Sequence, residues 1–427
     1  MPNSSLYKRS LLAGASLSFM LAATSSFAAN IDQLEEVVVT AQKVEQPLQN
    51  VPISVSSIDA TQLSRRSMFN VIDIASQVPG VEFSTSDQGG SNAAFYIRGI
   101  GQNDFIATTD PGVGVYLDGV YISRTAGAAM DLLDISRIEI LRGPQGTLFG
   151  KNAIGGAVNI VTDRPNFKSE GKAYVRVGER GRFDLGASVN VPLIDQKLAM
   201  RVSAMSKKRD GYSTSLFDGQ KGNNEDAAAG RVTFLWLSSD TFDAELSADL
   251  TRTRAEAAMA TTIATNPDSF VISPQNDYAL ANGLQPYDNR WLTSTPYQNY
   301  SGFHPGDRED IWGTRLTLNW NLDAVKIKSI TAYRHLKVST GLDFDGSPYA
   351  VGDQSVRDWQ HQFSEELVFS GKSLGGLFDW VGGFYYMKEK AYTDILLMLS
   401  YAGNSDGFDT DTTNALSNET YAAYGQG

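Results

Sequence analysis

Residues 134–165 read DISRIEILRGPQGTLFGKNAIGGAVNIVTDRP, a stretch that interleaves apolar alternation with glycine turns. Ile138, Ile140 and Leu141 alternate with Arg137, Glu139 and Arg142; Gly143, Pro144 and Gly146 then bend the chain, and Ala157, Val158, Ile160 and Val161 make a second apolar run. The pattern predicts two strands around a glycine-built turn, since glycine tolerates positive φ and close backbone approach. The Gly150-Lys151 pair raises the question of phosphate binding, but a phosphate-cradling loop needs a glycine where Gln145 stands. Gly146 comes one residue late, and Asn152 replaces the Ser or Thr that would hold magnesium.

Composition narrows the class further. The 427-residue chain has room for two or three domains. Its net charge of −12 argues against a nucleic-acid partner, which wants a basic face to neutralise phosphates. Without cysteine there is neither a disulfide framework nor a thiolate metal site. His304, His335 and His361 lie too far apart for a paired-ligand motif, so neither metal nor cofactor is expected. Carboxylates such as Asp243 and Glu245 fall on one alternating polar face, so no catalytic residue is expected.

Lys8 and Arg9, an apolar run from Leu11 to Ala23, and Ser26-Phe27-Ala28 read as a secretory signal over residues 1–28. Past Pro165 the period becomes two. Leu185, Ala187, Val189 and Val191 alternate with Asp184, Gly186, Ser188 and Asn190, and Phe242, Ala244, Leu246, Ala248 and Leu250 with Asp243, Glu245, Ser247 and Asp249. Trp312, Leu316, Leu318 and Trp320 oppose Arg315, Thr317 and Asn319, whereas residues 325–334 and 363–369 alternate poorly. Such strands suit a water-soluble sandwich as well as a membrane barrel. Loop lengths favour the barrel: connections near 194–196, 238–241, 322–324 and 371–377 are short, and those near 210–226, 257–310, 339–355 and 393–418 are long. The two kinds take turns, as periplasmic turns and external loops do. In that register Val189 faces lipid and Asn190 the lumen.

The quoted stretch resembles the end of the plug domain of TonB-dependent outer-membrane receptors, whose pattern IE-x-LRGPQG-x-L-x-G-x-NA-x-GGA-x-NI-x-T it follows. FYIRGIG (95–101), PGVGVYLDGVYISR (111–124) and VIDIASQVPGV (71–81) extend the likeness upstream. The resemblance implies a mainly β fold, with a small α/β plug domain over residues 49–165 and the first part of an antiparallel transmembrane β-barrel over 166–427. A signal peptide (1–28) and a TonB box with its tether (29–48) precede them. Within the plug, strands are expected at 53–58, 81–84, 94–98, 114–118 and 137–141 in one mixed sheet, with a helix near 70–77. The implied place is the outer membrane of a Gram-negative cell, surrounded by lipid. The implied role is active import of a scarce nutrient, ferric siderophores being the commonest ligand class and cobalamin, haem and oligosaccharides the alternatives. A passive channel would share barrel and signal but need neither plug nor TonB box.

LEEVVVTAQK (34–43) resembles the family's energy-coupling box, so Glu36, Val37, Val38, Val39 and Thr40 are expected to lie open and to pair edge-on with TonB, which works with the ExbB and ExbD complex. Arg98 and Arg142 stand where family counterparts latch the plug to barrel glutamates in later strands. Those glutamates are expected beyond Gly427, leaving both arginines short of partners. The ligand, a small extracellular molecule such as a metal chelate, is expected against Asn103, Asp104, Phe105 and Arg124 of the plug's outer loops. Trp291 and Tyr297 of the longest external loop would add rigid aromatic contact area. About ten strands precede Gly427, whereas plugged lumens belong to barrels of about 22, so the chain is expected to be the N-terminal part of a longer receptor.

Overall fold

The computed structural model describes residues 37–75, 77–85, 93–102, 106–125, 134–256, 258–270, 272–399 and 409–427. The expected signal peptide, Glu36 and the trio Asn103, Asp104 and Phe105 lie outside the described residues.

The N-terminal segment contains strands β1 (Val55–Asp59), β2 (Val81–Thr85), β3 (Ala93–Ile97), β4 (Val113–Leu117), β5 (Val120–Ile122), β6 (Ile135–Arg142) and β7 (Gly156–Thr162), with helices α1 (Ala60–Arg65), α2 (Val71–Ala75) and α3 (Gly146–Phe149). Strands β6 and β7 are the two runs of the quoted stretch, paired antiparallel. Their connection includes the single turn of α3, ended by Gly150 at φ 73°. At Gly156, φ is 151° and an added Cβ would sit 2.2 Å from the carbonyl oxygen of Leu141, so only glycine lets β7 enter beside β6.

Five strands make a mixed sheet in the order β1-β6-β7-β4-β5, in which β4 and β7 run parallel. The expectation of one sheet fails for β2 and β3, which pair only with each other. They pack against the sheet's face instead of its edge: Val81, Phe95 and Ile97 enter the same core as Val113, Val115, Ile138 and Ile140. Strand β4 is buried along its whole length because its two faces serve different cores. Val113, Val115 and Leu117 meet Leu63, Val71 and Ile74 from the helices, while Tyr116 turns the other way onto Tyr121 and Phe149. Local capping fixes the helix starts. Asp59 accepts from Gln62 N at 2.8 Å, and Asn70 and Asp73 cap each other reciprocally.

The rest of the chain is one ten-stranded antiparallel meander, paired in chain order. Its strands are β8 (Glu170–Gly178), β9 (Arg182–Ile194), β10 (Leu198–Arg209), β11 (Glu225–Ser239), β12 (Phe242–Glu256), β13 (Gly306–Asn321), β14 (Val325–Asp343), β15 (Asp353–Ser373), β16 (Phe378–Met398) and β17 (Thr410–Gln426). The alternation of short turns and long loops holds from β9 onward; the β8–β9 connection departs from it, being short on the long-loop side. The longest loop carries α4 (Ile272–Ala281), and its strand Gln298–Asn299 pairs in parallel with Ser213–Ser215 of the neighbouring loop.

Burial decides between sandwich and membrane wall. On β9, Leu185 and Val189 are exposed whereas Asp184, Ser188 and Asn190 are buried. The same inversion recurs on β12, where Leu246 and Leu250 are exposed and Glu245 and Ser247 buried. A water-soluble sheet buries the opposite set, so the apolar face belongs in hydrocarbon. Aromatic belts bound that face. Trp236, Phe242 and Trp320 cluster near the short turns; Trp312, Tyr333, His335, Trp359 and Tyr392 form a continuous chain of ring contacts toward the long loops. Trp312 and Trp320 are ~27 Å apart along β13 at ~3.4 Å per residue, or ~20 Å across the membrane at a ~40° tilt. That span approaches the apolar band of an outer-membrane barrel.

Candidate functional site

The small sheet meets the inner face of the long sheet through polar contacts that sequence reasoning did not assign. Arg124, at the end of β5, was expected on the ligand surface; it is instead buried in an ion pair with Glu389 of β16. Its Nε donates to Glu389 Oε1 at 2.7 Å and Nη2 to Oε2, while Nη1 donates to the Thr109 carbonyl at 3.1 Å. Ser123 Oγ and Gln360 Nε2 also donate to Glu389, at 2.5 and 3.1 Å, and Gln362 Nε2 donates to the Tyr121 carbonyl at 2.7 Å. A buried guanidinium demands such partners, which is why Arg124 turns into the wall and away from solvent.

Two further ion-pair groups join the same faces. Asp134 accepts from Arg201 Nε at 2.5 Å and Nη2 at 2.7 Å, from Ser203 Oγ at 2.6 Å, and lies 2.9 Å from Lys172 Nζ. Burial opposes its charge, but the bonds from Arg201, Ser203 and Lys172 prevail and hold its carboxyl below the usual range. Arg315 of β13 bridges Glu245 of β12 and Asp118 of the β4–β5 turn, the latter at 3.5 Å, and Arg164 pairs with Asp243 and Glu245. The expected latch residues lie elsewhere. Arg98 is exposed with φ 54°; Arg142 reaches the Pro79 carbonyl at 3.4 Å, and its buried Nε has no hydrogen-bond partner among the described residues. Neither enters an ion pair with a described residue. The carriers of the contact are Arg124, Asp134 and Asp118.

Residues 37–43 depart from the expected open strand. Val37 and Val38 are exposed, but Val39 is fully buried with Tyr116, Leu141 and Ala157. Thr40 N donates to Glu139 Oε1 at 2.8 Å, and its hydroxyl reaches the same carboxylate at 3.1 Å. Glu139 is completely buried, so it needs donors; Arg137 Nε and Asn159 Nδ2 supply the others at 2.8 and 3.1 Å. Farther along, Lys43 Nζ lies 3.0 Å from Glu366 of β15 and 5.0 Å from the Phe149 ring centroid, and Tyr424 donates to the same glutamate.

At the loop end, the aromatics expected to line a ligand site pack mostly on each other. Trp291 contacts Tyr300 and Tyr349 edge-on, each at 5.6 Å, and exposed Tyr297 meets Tyr212 at 5.2 Å. Tyr287 is buried and donates to the Asp345 carbonyl at 3.0 Å. Beneath them lies a cluster missed in the sequence: Asp343, Asp345 and Asp353 bring carboxylate oxygens within 4.8 Å of one another. Burial and then repulsion from its neighbours push Asp345 up to about 7 and Asp353 up to about 8. The spacing in DFDGS, residues 343–347, was the available signal.

A mixed sheet fastened by buried charges to an apolar-outward antiparallel wall defines a plugged membrane β-protein. The family model described as TonB-dependent Receptor Plug Domain matches residues 47–157. The chain is 32% identical over 159 residues to the vitamin B12 transporter BtuB of Vibrio vulnificus, covering 36% of this chain and 25% of that protein. It is 38% identical over 150 residues to the iron-regulated outer membrane virulence protein of Vibrio cholerae, covering 34% and 22%. The ferric yersiniabactin uptake receptor FyuA from Yersinia pestis shares the fold with a TM-score of 0.68 at 20% identity, over 87% of this chain and 53% of that one. Residues 47–157 thus carry the plug domain of TonB-dependent receptors. The matches span a quarter of the length of the first of these curated relatives and about half of the solved receptor.

Proposed function

We propose that this protein imports a scarce nutrient across the outer membrane, driven by TonB with ExbB and ExbD, and that the nutrient is a metal chelate, a ferric siderophore first. The observation that carries the reading is the coupling segment docked on the plug: Thr40 is held by Glu139 of β6, a strand of the same sheet that Arg124 ties to Glu389. A pull on residues 36–40 would act directly on the element that closes the lumen, which a passive channel does not need. The proposed organisation is signal 1–28, TonB box and tether 29–48, plug 49–165 and barrel from 166. Cobalamin is the second reading, favoured by the likeness to the vitamin B12 transporter BtuB; haem and oligosaccharides fit the same architecture.

The proposed ligand surface is the outer-loop region around Tyr297 and Trp291, together with Asn103, Asp104 and Phe105; Arg124 is excluded from it by its burial against Glu389. Deleting the intact gene and testing growth on a panel of iron and vitamin sources identifies the nutrient. Val38→Pro is expected to abolish energised uptake and leave surface binding intact, because strand addition depends on backbone pairing. Uptake that persists after collapse of the proton gradient would reject the reading in favour of a channel.

A further inference from the structure

We propose that Asp343, Asp345 and Asp353 bind a single Ca²⁺ ion that clamps the loop at residues 344–352 to the long loop at 257–305. The three donor oxygens lie within 4.8 Å of one another. Donors that close can share one Ca²⁺, whose ligands at ~2.4 Å span up to ~4.8 Å and which accepts irregular geometry, whereas Mg²⁺ demands near-ideal octahedral ligation. Carboxylate donors alone select a hard cation over zinc or copper.

A separate observation points to a missing positive charge. Asp345 and Asp353 are each 4% exposed, and Asp343 Oδ2, Asp345 Oδ2 and Asp353 Oδ1 have no hydrogen-bond partner among the described residues. No lysine or arginine among the described residues pairs with any of the three. Buried carboxylate oxygens without donors are costly, and three together repel. The loop's construction sets those oxygens free. Asp343 Oδ1 accepts from Asp345 N and Gly346 N at 3.0 and 2.6 Å, and Asp345 Oδ1 accepts from Ser347 N at 2.8 Å. Each of these two side chains therefore shapes the turn with one oxygen and leaves the other for the cluster.

The same loop is stitched to its long neighbour by backbone acceptors. The Asp345 carbonyl takes bonds from Tyr287 Oη at 3.0 Å and Thr262 Oγ1 at 3.2 Å. The Gly346 and Ser347 carbonyls accept from Tyr300 N and Gly302 N at 3.0 and 2.9 Å. A bound cation would remove the repulsion that works against this seam, ordering the loop that carries Trp291 and Tyr297. The inference needs these loops but not the import reading, and its test does not involve uptake.

Full-length protein in detergent, stripped with EGTA, is titrated calorimetrically with CaCl₂ and separately with MgCl₂. One Ca²⁺ per chain is expected with a Kd of about 0.1–1 mM and weaker response to Mg²⁺. Calcium is expected to slow hydrogen exchange across residues 257–305. Asp345→Asn and Asp353→Asn should each weaken Ca²⁺ binding by about tenfold or more, each removing a charged ligand. Both relieve repulsion, so the strands stay folded, as heat-modifiable gel migration would verify. Folded wild-type protein with no binding at ~10 mM Ca²⁺, tenfold above the weakest affinity expected of such sites, would overturn the assignment. Unchanged binding in the Asp345→Asn/Asp353→Asn double variant would do the same.

Discussion

Glu389 shows how much one buried carboxylate can decide. It is completely buried and receives Ser123, Arg124 and Gln360 at once. Glu389→Ala would leave the buried Arg124 guanidinium with only the half-exposed Asp110, at 3.3 Å, to offset its charge, a loss of about 3–5 kcal/mol. Replacing both partners, as in Arg124→Met with Glu389→Leu, should recover most of that, because the penalty lies in the orphaned charge and not in the missing attraction. Thermal unfolding of wild type, both single variants and the pair, analysed as a double-mutant cycle, measures the coupling; additive losses would contradict a direct pair. The sequence could not reveal this contact. Arg124 closes a run whose apolar alternation is plain, but its partner is 265 residues away, and nothing local distinguishes an arginine aimed at a ligand from one aimed at a wall. Asp343 and Asp345 were closer to legible, since their spacing lies within five residues of chain; Asp353 joins them only because β14 and β15 pair at that position.

The strands themselves were readable wherever one face met hydrocarbon and the other met polar groups, and they blurred where that condition failed. Residues 325–334 and 363–369 alternate poorly because their inner faces touch the plug. Ile330 and Ala332 of β14 pack on Val120, and Val368 of β15 joins the core containing Val39 and Tyr116. Apolar side chains therefore point both ways, and the period is lost. A facing test must avoid such places. Leu246→Arg, outward and exposed between the belts, should cost about 2–4 kcal/mol, whereas Thr251→Arg on the inner face should cost much less. Equal penalties in folding titrations would reject the register. Asn190, the inward neighbour of Val189, is unsuitable as the tolerant site because its Nδ2 donates to the Asn166 and Lys168 carbonyls at 2.8 and 2.6 Å. Residues 37–40 depart from the expected open strand for a related reason. Their β-prone character fits an open strand, but the buried Glu139 on β6 draws Thr40 down. Glu139→Gln, with fewer acceptor sites for Thr40, Arg137 and Asn159, should free the segment. A nitroxide at Val38→Cys would then become more mobile, and unchanged mobility would mean that Thr40 is held by packing alone.

For the molecule as a whole, the contacts between plug and wall are arranged in parallel: Arg124 with Glu389, Asp134 with Arg201, Asp118 with Arg315, and Val120 against Ile330 and Ala332. Contacts in parallel resist a pull together, and the bond of Thr40 to Glu139 passes a pull on the preceding segment into the same sheet. If import requires the plug to move against β14, fixing one contact covalently should stop transport without touching ligand recognition. The chain has no native cysteine, so Val120→Cys with Ala332→Cys gives a pair free of competing thiols, joined by a short thiol crosslinker that does not demand ideal disulfide geometry. Crosslinked cells should bind the nutrient at the surface yet fail to accumulate it, while either single variant treated alike should transport normally. A cleavable linker should return uptake on reduction. Undiminished accumulation with the link intact would mean that the ligand passes without any displacement between β5 and β14, and the moving part would then have to be sought elsewhere in the plug.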